Sequence, residues 1–147
     1  MAERPIDPDV DLRVPGQRAE VGWAVLAAIA AGGALGALAR HGAQTLLPAA
    51  PGAFPWATFL VNVSGCALIG VLMVTITEVR RAHRLVRPFL GVGVLGGFTT
   101  FSTYVVEARR VVADGAPLVG VLYLAGTLAA ALAAVWAGMR LTRWAAS

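Results

Sequence analysis

Apolar and polar positions divide this 147-residue chain into a charged tail and four long uncharged runs. Residues 1–20 carry Glu3, Arg4, Asp7, Asp9, Asp11, Arg13, Arg18 and Glu20 among Pro5, Pro8 and Pro15, and no apolar period runs through them. This stretch reads as a flexible charged N-terminal tail. Its acids more than offset its bases and no cleavage pattern is clear, so it does not read as a secretion signal. The uncharged runs cover residues 21–38, 56–77, 88–106 and 116–139, which is 18, 22, 19 and 24 residues. About 20 apolar residues cross a bilayer as a helix. In lipid, backbone groups must pair within their own segment, so helices are the default. The pattern predicts an all-α membrane protein, with one domain of four transmembrane helices over residues 21–147.

Composition supports this division. Hydrophobic residues make up 58% of the chain, charged residues 14%, and mean hydropathy is +0.73. A soluble domain of this size has too little interior for so much apolar surface. That excludes a conventional soluble enzyme. The net charge is +4, and all twelve bases are arginines. A basic chain can bind nucleic acid, but these arginines flank apolar runs and read as topology signals, with no nucleic-acid partner. An even number of spans puts both termini on one side. Arg13, Arg18, Arg80, Arg81, Arg84, Arg87, Arg140 and Arg143 fall on that side, against Arg40, Arg109 and Arg110 on the other. The bias predicts a multi-pass protein of the cell (inner, plasma) membrane with both termini in the cytoplasm, if one topology is fixed. The single cysteine, Cys66, makes no internal disulfide or CxxC metal site and reads as a small buried hydrophobe.

Small residues predict where helices meet. Gly32, Gly33 and Gly36 in the first run, and Gly65 and Gly70 in the second, allow close backbone approach. The third run is different. Gly91, Gly93, Gly96 and Gly97 lead directly into Thr99, Thr100, Ser102 and Thr103. Clustered glycines weaken a helix, so the third helix is predicted to break near the bilayer centre. Broken helices in a membrane face protein or a water-filled cavity, where free N–H groups meet an anion and free C=O groups a cation. Gly91 to Gly96 also fits GxGxxG, but without the strand and helix context a dinucleotide site needs.

Thr100, Thr103 and Glu107 lie at i, i+3 and i+7 on one helical face, with Phe101 and Tyr104 on the next. Aromatic ring edges carry partial positive charge. Edges and hydroxyls hold an anion more weakly than a full charge does, which suits conduction. Interhelical hydrogen bonding is the other use for these hydroxyls. Asn62 and Tyr123, also within runs, serve equally as structural glue or as pore lining. Arg40 reads as an interfacial arginine whose head reaches the polar boundary.

These segments resemble the small bacterial fluoride channels (the Fluc, or CrcB, family). Residues 32–41, GGALGALARH, are similar to the family's GGxxGAxxRY, and residues 58–65, TFLVNVSG, to its GTxxVNxxG, with Ala57 where glycine is usual. Residues 93–104, GVLGGFTTFSTY, resemble GxxGGxTTFSTF, and Glu107 and Tyr123 follow at family positions. The resemblance implies an antiparallel dimer of four-helix subunits with two fluoride pores at the dual-topology interface. It implies pore-lining roles for Asn62, Thr100, Phe101, Ser102, Thr103, Tyr104, Glu107 and Tyr123. Thr127, four residues after Tyr123, shares that helix face. It further implies a structural Na⁺ at the dimer axis, held by backbone carbonyls of Gly96 and Thr99, and a vestibule role for Arg40. Tyr104 stands where the family usually has its second phenylalanine.

The function so implied is passive, fluoride-selective export of cytoplasmic fluoride, giving fluoride resistance. The arginine bias opens an alternative, in which this chain is one half of a heterodimer with a paired chain of opposite, fixed orientation. A four-helix proton-coupled exporter is a further alternative, but it needs a carboxylate within a span, and Glu78 and Glu107 sit at span ends. A non-transporting scaffold leaves the hydroxyl and aromatic stripes without a purpose. An enzyme is not predicted: no nucleophile–base pair or metal cluster lies in the runs, and His41 and His83 both fall in joins.

Overall fold

A computed structural model describes residues 22–79 and 83–146. The N-terminal tail, with Arg13 and Arg18, and the loop arginines Arg80 and Arg81 lie outside the described residues. Among the described residues all regular structure is helical. Helix α1 is Trp23–Leu46. Helix α2 is Trp56–Val74, continued by the π-helical turns Thr75–Val79. Helix α3 is the π-helix Arg87–Leu95 followed by the short α-turn Gly96–Phe98, α4 is Phe101–Ala113 and α5 is Pro117–Ala146. Four spans, Trp23–Leu46, Trp56–Val79, Arg87–Ala113 and Pro117–Ala146, are long and apolar enough to cross a bilayer.

The helices run past the uncharged runs. Helix α1 continues through Arg40 and His41, α4 through Glu107, Arg109 and Arg110, and α5 through Arg140 and Arg143. Long arginine stems let the charged heads reach water without ending the helix. Charge therefore marks the apolar core of each span, not the helix boundary.

Packing pairs α1 with α3, α2 with α5, and α4 with α5. Glycine sets these contacts. A methyl on Gly32 would strike the Phe89 carbonyl, one on Gly36 the Val94 carbonyl, and one on Gly97 the Gly33 carbonyl. Gly70 and Gly138 do the same for α2 and α5, meeting the Val135 and Ala67 carbonyls. Lipid supplies no hydrophobic drive between helices, so such close approach does the packing. The glycines of residues 91–97 are thus helical; Gly93 and Gly97 serve contact with α1, while Gly91 faces Leu72 and Ile69 of α2. Between α3 and α4, Thr99 (φ −74°, ψ 158°) and Thr100 (φ −151°, ψ 127°) have extended backbones.

The interior is small. Tyr123, Val61 and Thr58 are its largest fully buried side chains, while Trp23, Leu118 and Phe101 stand open. At most 22% of any span's most apolar stretch is buried. In a soluble protein such exposure would mark an error or an interface; around a membrane helix it is the surface that lipid or a second subunit covers.

The two ends of the bundle are tied differently. At one, Arg143 makes a two-pronged ion pair with Glu78, Nη2 to Oε1 at 2.7 Å and Nε to Oε2 at 2.9 Å. At the other, α4 ends in a Schellman turn. Gly115, at φ +87°, donates to the Val112 carbonyl and Ala116 to the Val111 carbonyl, both at 3.1 Å. Pro117 then opens α5, where a missing N–H costs nothing. The Asp114 carboxylate accepts the Gly52 N–H at 3.1 Å and so fastens the loop between α1 and α2 to this turn.

Candidate functional site

The extended residues Thr99 and Thr100 leave backbone groups that no helix satisfies. Asn62 of α2 meets both backbone groups of Thr100: its Oδ1 accepts the free N–H at 2.8 Å, and its Nδ2 donates at 2.9 Å to the carbonyl, which as that of the N-cap also takes the first bond of α4. In a continuous helix the Thr100 N–H would reach the Gly96 carbonyl. Asn62 takes it instead. The Thr100 hydroxyl caps α4, accepting the Thr103 N–H at 3.2 Å, and lies 3.1 Å from the Thr103 hydroxyl and 3.4 Å from that of Ser102. Thr99 Oγ1 donates to the Leu95 carbonyl at 2.9 Å.

Beside this joint is an open groove of about 660 Å³. Asn62 and Cys66 of α2, Gly96, Thr99 and Thr100 of the joint, Phe101 and Tyr104 of α4, and Thr127 of α5 line it, with Val105, Leu124, Leu128 and Ala131 completing the wall. None of these side chains is charged. Phe101 is 78% exposed on the rim. Its ring centroid is 5.8 Å from that of Tyr104, which in turn is 5.2 Å from Tyr123. The Thr127 hydroxyl is buried and has no hydrogen-bond partner.

Not every residue of the predicted stripe lines this groove. Tyr123 is fully buried behind it, and its hydroxyl donates to Glu107 Oε2 at 3.0 Å. Glu107 opens onto a second, polar cavity of about 330 Å³ at the Asp114 end, shared with Arg110, Asp114 and the α1–α2 loop. Tyr123 thus stands between the two cavities. Ser102 and Thr103 line neither, since they crowd around the Thr100 hydroxyl. Arg40 is half-buried on α1 and also lines neither.

Three residues were outside the sequence reading of the site. Cys66 is half-buried on the groove wall, which corrects the expectation of a small buried hydrophobe. It follows Asn62 by four residues and so shares its helix face, a spacing legible in the sequence. Phe54, from the α1–α2 loop, packs edge-on against Tyr123 at 5.2 Å and 85°. Thr58 is fully buried and accepts from Gln44 Nε2 at 3.4 Å. The contacts of Phe54 and Thr58 depend on loop and helix placement, and no local pattern announces them. Among the described residues, no group of three His, Cys, Asp or Glu side chains is placed to hold a metal ion.

The family description "CrcB-like protein, Camphor Resistance (CrcB)" matches residues 27–139. The chain is 60% identical over 122 residues to the fluoride-specific ion channel FluC 1 of Streptomyces coelicolor, covering 83% of this chain and 77% of that protein. It is 58% identical over 122 residues to the fluoride-specific ion channel FluC 2 of Nocardia farcinica, covering 83% and 87%. It is 42% identical over 116 residues to the fluoride-specific ion channel FluC of Solibacter usitatus, covering 78% and 95%.

Proposed function

We infer that this chain, which belongs to the CrcB family, is a fluoride channel: a multi-pass membrane transport protein and not an enzyme. One observation carries the reading within the chain itself. The groove beside Thr100 is lined by an amide, threonine side chains and two aromatic rings, and by no charged side chain. Fluoride is small and strongly hydrated, so giving up its water needs several donors at once. A lysine or arginine there would also bind it too firmly to let it leave. Neutral donors and C–H edges supply a gentler replacement shell.

The groove is open on one side, and a pore needs a second wall. In the proposed assembly a second subunit, inserted antiparallel, closes each groove, giving two pores at a dual-topology interface. The third span then acts as a helix broken at the bilayer centre, with the Thr99–Thr100 joint at the interface. Asn62, Phe101, Tyr104, Thr100 and Thr127 line the pore. Tyr123 and Glu107 carry the path to the polar cavity at the Asp114 end, Ser102 and Thr103 hold the joint, and Arg40 flanks the vestibule. Gly96 and Thr99 fit a structural Na⁺ at the dimer axis, because a hard cation takes oxygen ligands and the Gly96 carbonyl has lost its helical partner to Asn62. When bound there, Na⁺ would fasten the two subunits and offset carbonyl dipoles that otherwise face each other.

Transport is passive. Fluoride enters acid-stressed cells as neutral HF and is held inside as the anion, so an open channel in the plasma membrane lets it leave down its gradient. A second reading, in which this chain pairs with a different chain of opposite orientation, is favoured by the eight arginines on one side against three on the other, which disfavours insertion both ways.

The test is passive fluoride efflux from liposomes carrying the purified chain, read with an ion electrode and with chloride as control. Fast, fluoride-selective efflux supports a working homodimer. Efflux that appears only after a paired chain is added supports the heterodimer. Silence in both cases counts against the channel reading.

A further inference from the structure

Tyr104 lines the groove, yet its hydroxyl is turned to a neighbouring helix. It donates to the Leu124 carbonyl of α5 at 2.5 Å. The Leu124 carbonyl has two lone pairs, and one hydrogen bond of the α5 helix leaves the other for this contact. The ring lies between Phe101, centroids 5.8 Å apart at 54°, and Tyr123, 5.2 Å apart at 62°. Tyr104 sits in the first turn of α4, directly after the extended residues, where continuity with α3 does not hold the helix in place. Asn62 and the Thr100 cap seat this turn on the α2 side. The Tyr104–Leu124 bond seats it on α5.

A phenol has one proton to donate. With that proton given to Leu124, its oxygen has only lone pairs left, which repel an anion. What Tyr104 can offer an anion is therefore its C–H edge. We propose that the Tyr104 hydroxyl is a tether that holds the ring edge toward the conducting groove, making Tyr104 a positioning residue through its oxygen and a pore residue through its ring. The proposal rests on the channel reading above.

The full chain in planar bilayers tests it, because unitary current and channel number are read separately. Tyr104→Phe removes the oxygen alone. The unitary fluoride current is expected to fall about fivefold, the factor that one neutral hydrogen bond is worth. A purely structural role would lower the number of channels and leave unitary current at the wild-type value, and that result overturns the tether. Tyr104→Leu removes the ring and is expected to abolish fluoride current; wild-type current in that variant would remove Tyr104 from the pore.

A second measurement does not depend on transport. The chain has two tyrosines, so the Raman difference spectrum of wild type minus Tyr104→Phe isolates Tyr104. The Fermi doublet of a strong hydrogen-bond donor is expected. A doublet of a water-exchanged phenol overturns the tether even in a preparation that passes no fluoride, whereas a silent preparation with the donor doublet counts only against the channel reading.

Discussion

Asn62 grips both backbone groups of Thr100 with one side chain, at 2.8 Å to the N–H, which has no helical partner, and at 2.9 Å to the carbonyl. An amide is the one uncharged side-chain group that donates and accepts in this geometry. Asn62→Ala would strand the Thr100 N–H, at about 1–3 kcal/mol, and remove a second bond to its carbonyl. The expected outcome is a clear drop in melting temperature in detergent together with loss of fluoride efflux. Asn62→Asp keeps an acceptor but loses the donor and adds charge, and it is expected to lose efflux as well.

Thr127 makes the opposite prediction for stability. Its hydroxyl is buried without a partner, at 4% exposure. Thr127→Val keeps the shape and removes an unpaired polar group, which in a purely structural setting stabilises by about 1–3 kcal/mol. If the hydroxyl is kept for a passing anion, the variant melts higher and conducts less. Calorimetry beside liposome efflux reads both, and a variant that melts higher with unchanged efflux would remove Thr127 from the pore.

Tyr123 and Glu107 form a charge-assisted bond at 3.0 Å between the groove and the polar cavity. Tyr123→Phe deletes the donor to a carboxylate, an interaction worth about 1.5–3 kcal/mol. Fluoride efflux is expected to fall roughly tenfold or more by the same scale, with chloride still excluded. Electrode recordings of both anions check this.

The glycines sort into two classes. Gly36→Ala drives a methyl into the Val94 carbonyl and Gly97→Ala into that of Gly33, so both variants are expected to lose the α1–α3 contact and aggregate. Gly33→Ala and Gly126→Ala meet nothing within 4 Å and are expected to purify normally, since alanine favours a helix by up to about 1 kcal/mol. Size-exclusion profiles of the four proteins separate the classes.

The Glu78–Arg143 pair is half exposed on both sides, at 45% and 52%. Water and salt screen such pairs. Arg143→Ala is expected to lower the melting temperature slightly in dilute buffer and not at all in concentrated salt, as thermal scans at two ionic strengths would show.

Gly32 and Gly36 show how much of the helix contacts could be read from the sequence: small residues in an apolar run announce close approach, because lipid supplies no hydrophobic drive between helices. The span count follows as directly from runs long enough to cross a bilayer. The third run was harder to read. Its glycines pointed to a helix weakened at residues 91–97, but they are helical, Gly93 and Gly97 against α1, and the extended residues are Thr99 and Thr100. Local propensity yielded to the gain from backbone contact with α1.

Asn62 was legible as an amide in an apolar run, but its partner lies 38 residues away, and only the packing of α2 beside the joint joined them. The packing of Phe54 on Tyr123 and the direction of the Tyr104 hydroxyl were decided at the same level. The sequence by itself determined which segments leave water, because transfer into lipid depends on composition and length, properties of each run alone. Tertiary structure decided which polar groups satisfy one another and which, like the Thr127 hydroxyl, remain open, because hydrogen bonds require two groups to meet at a fixed distance, and here those groups come from different helices.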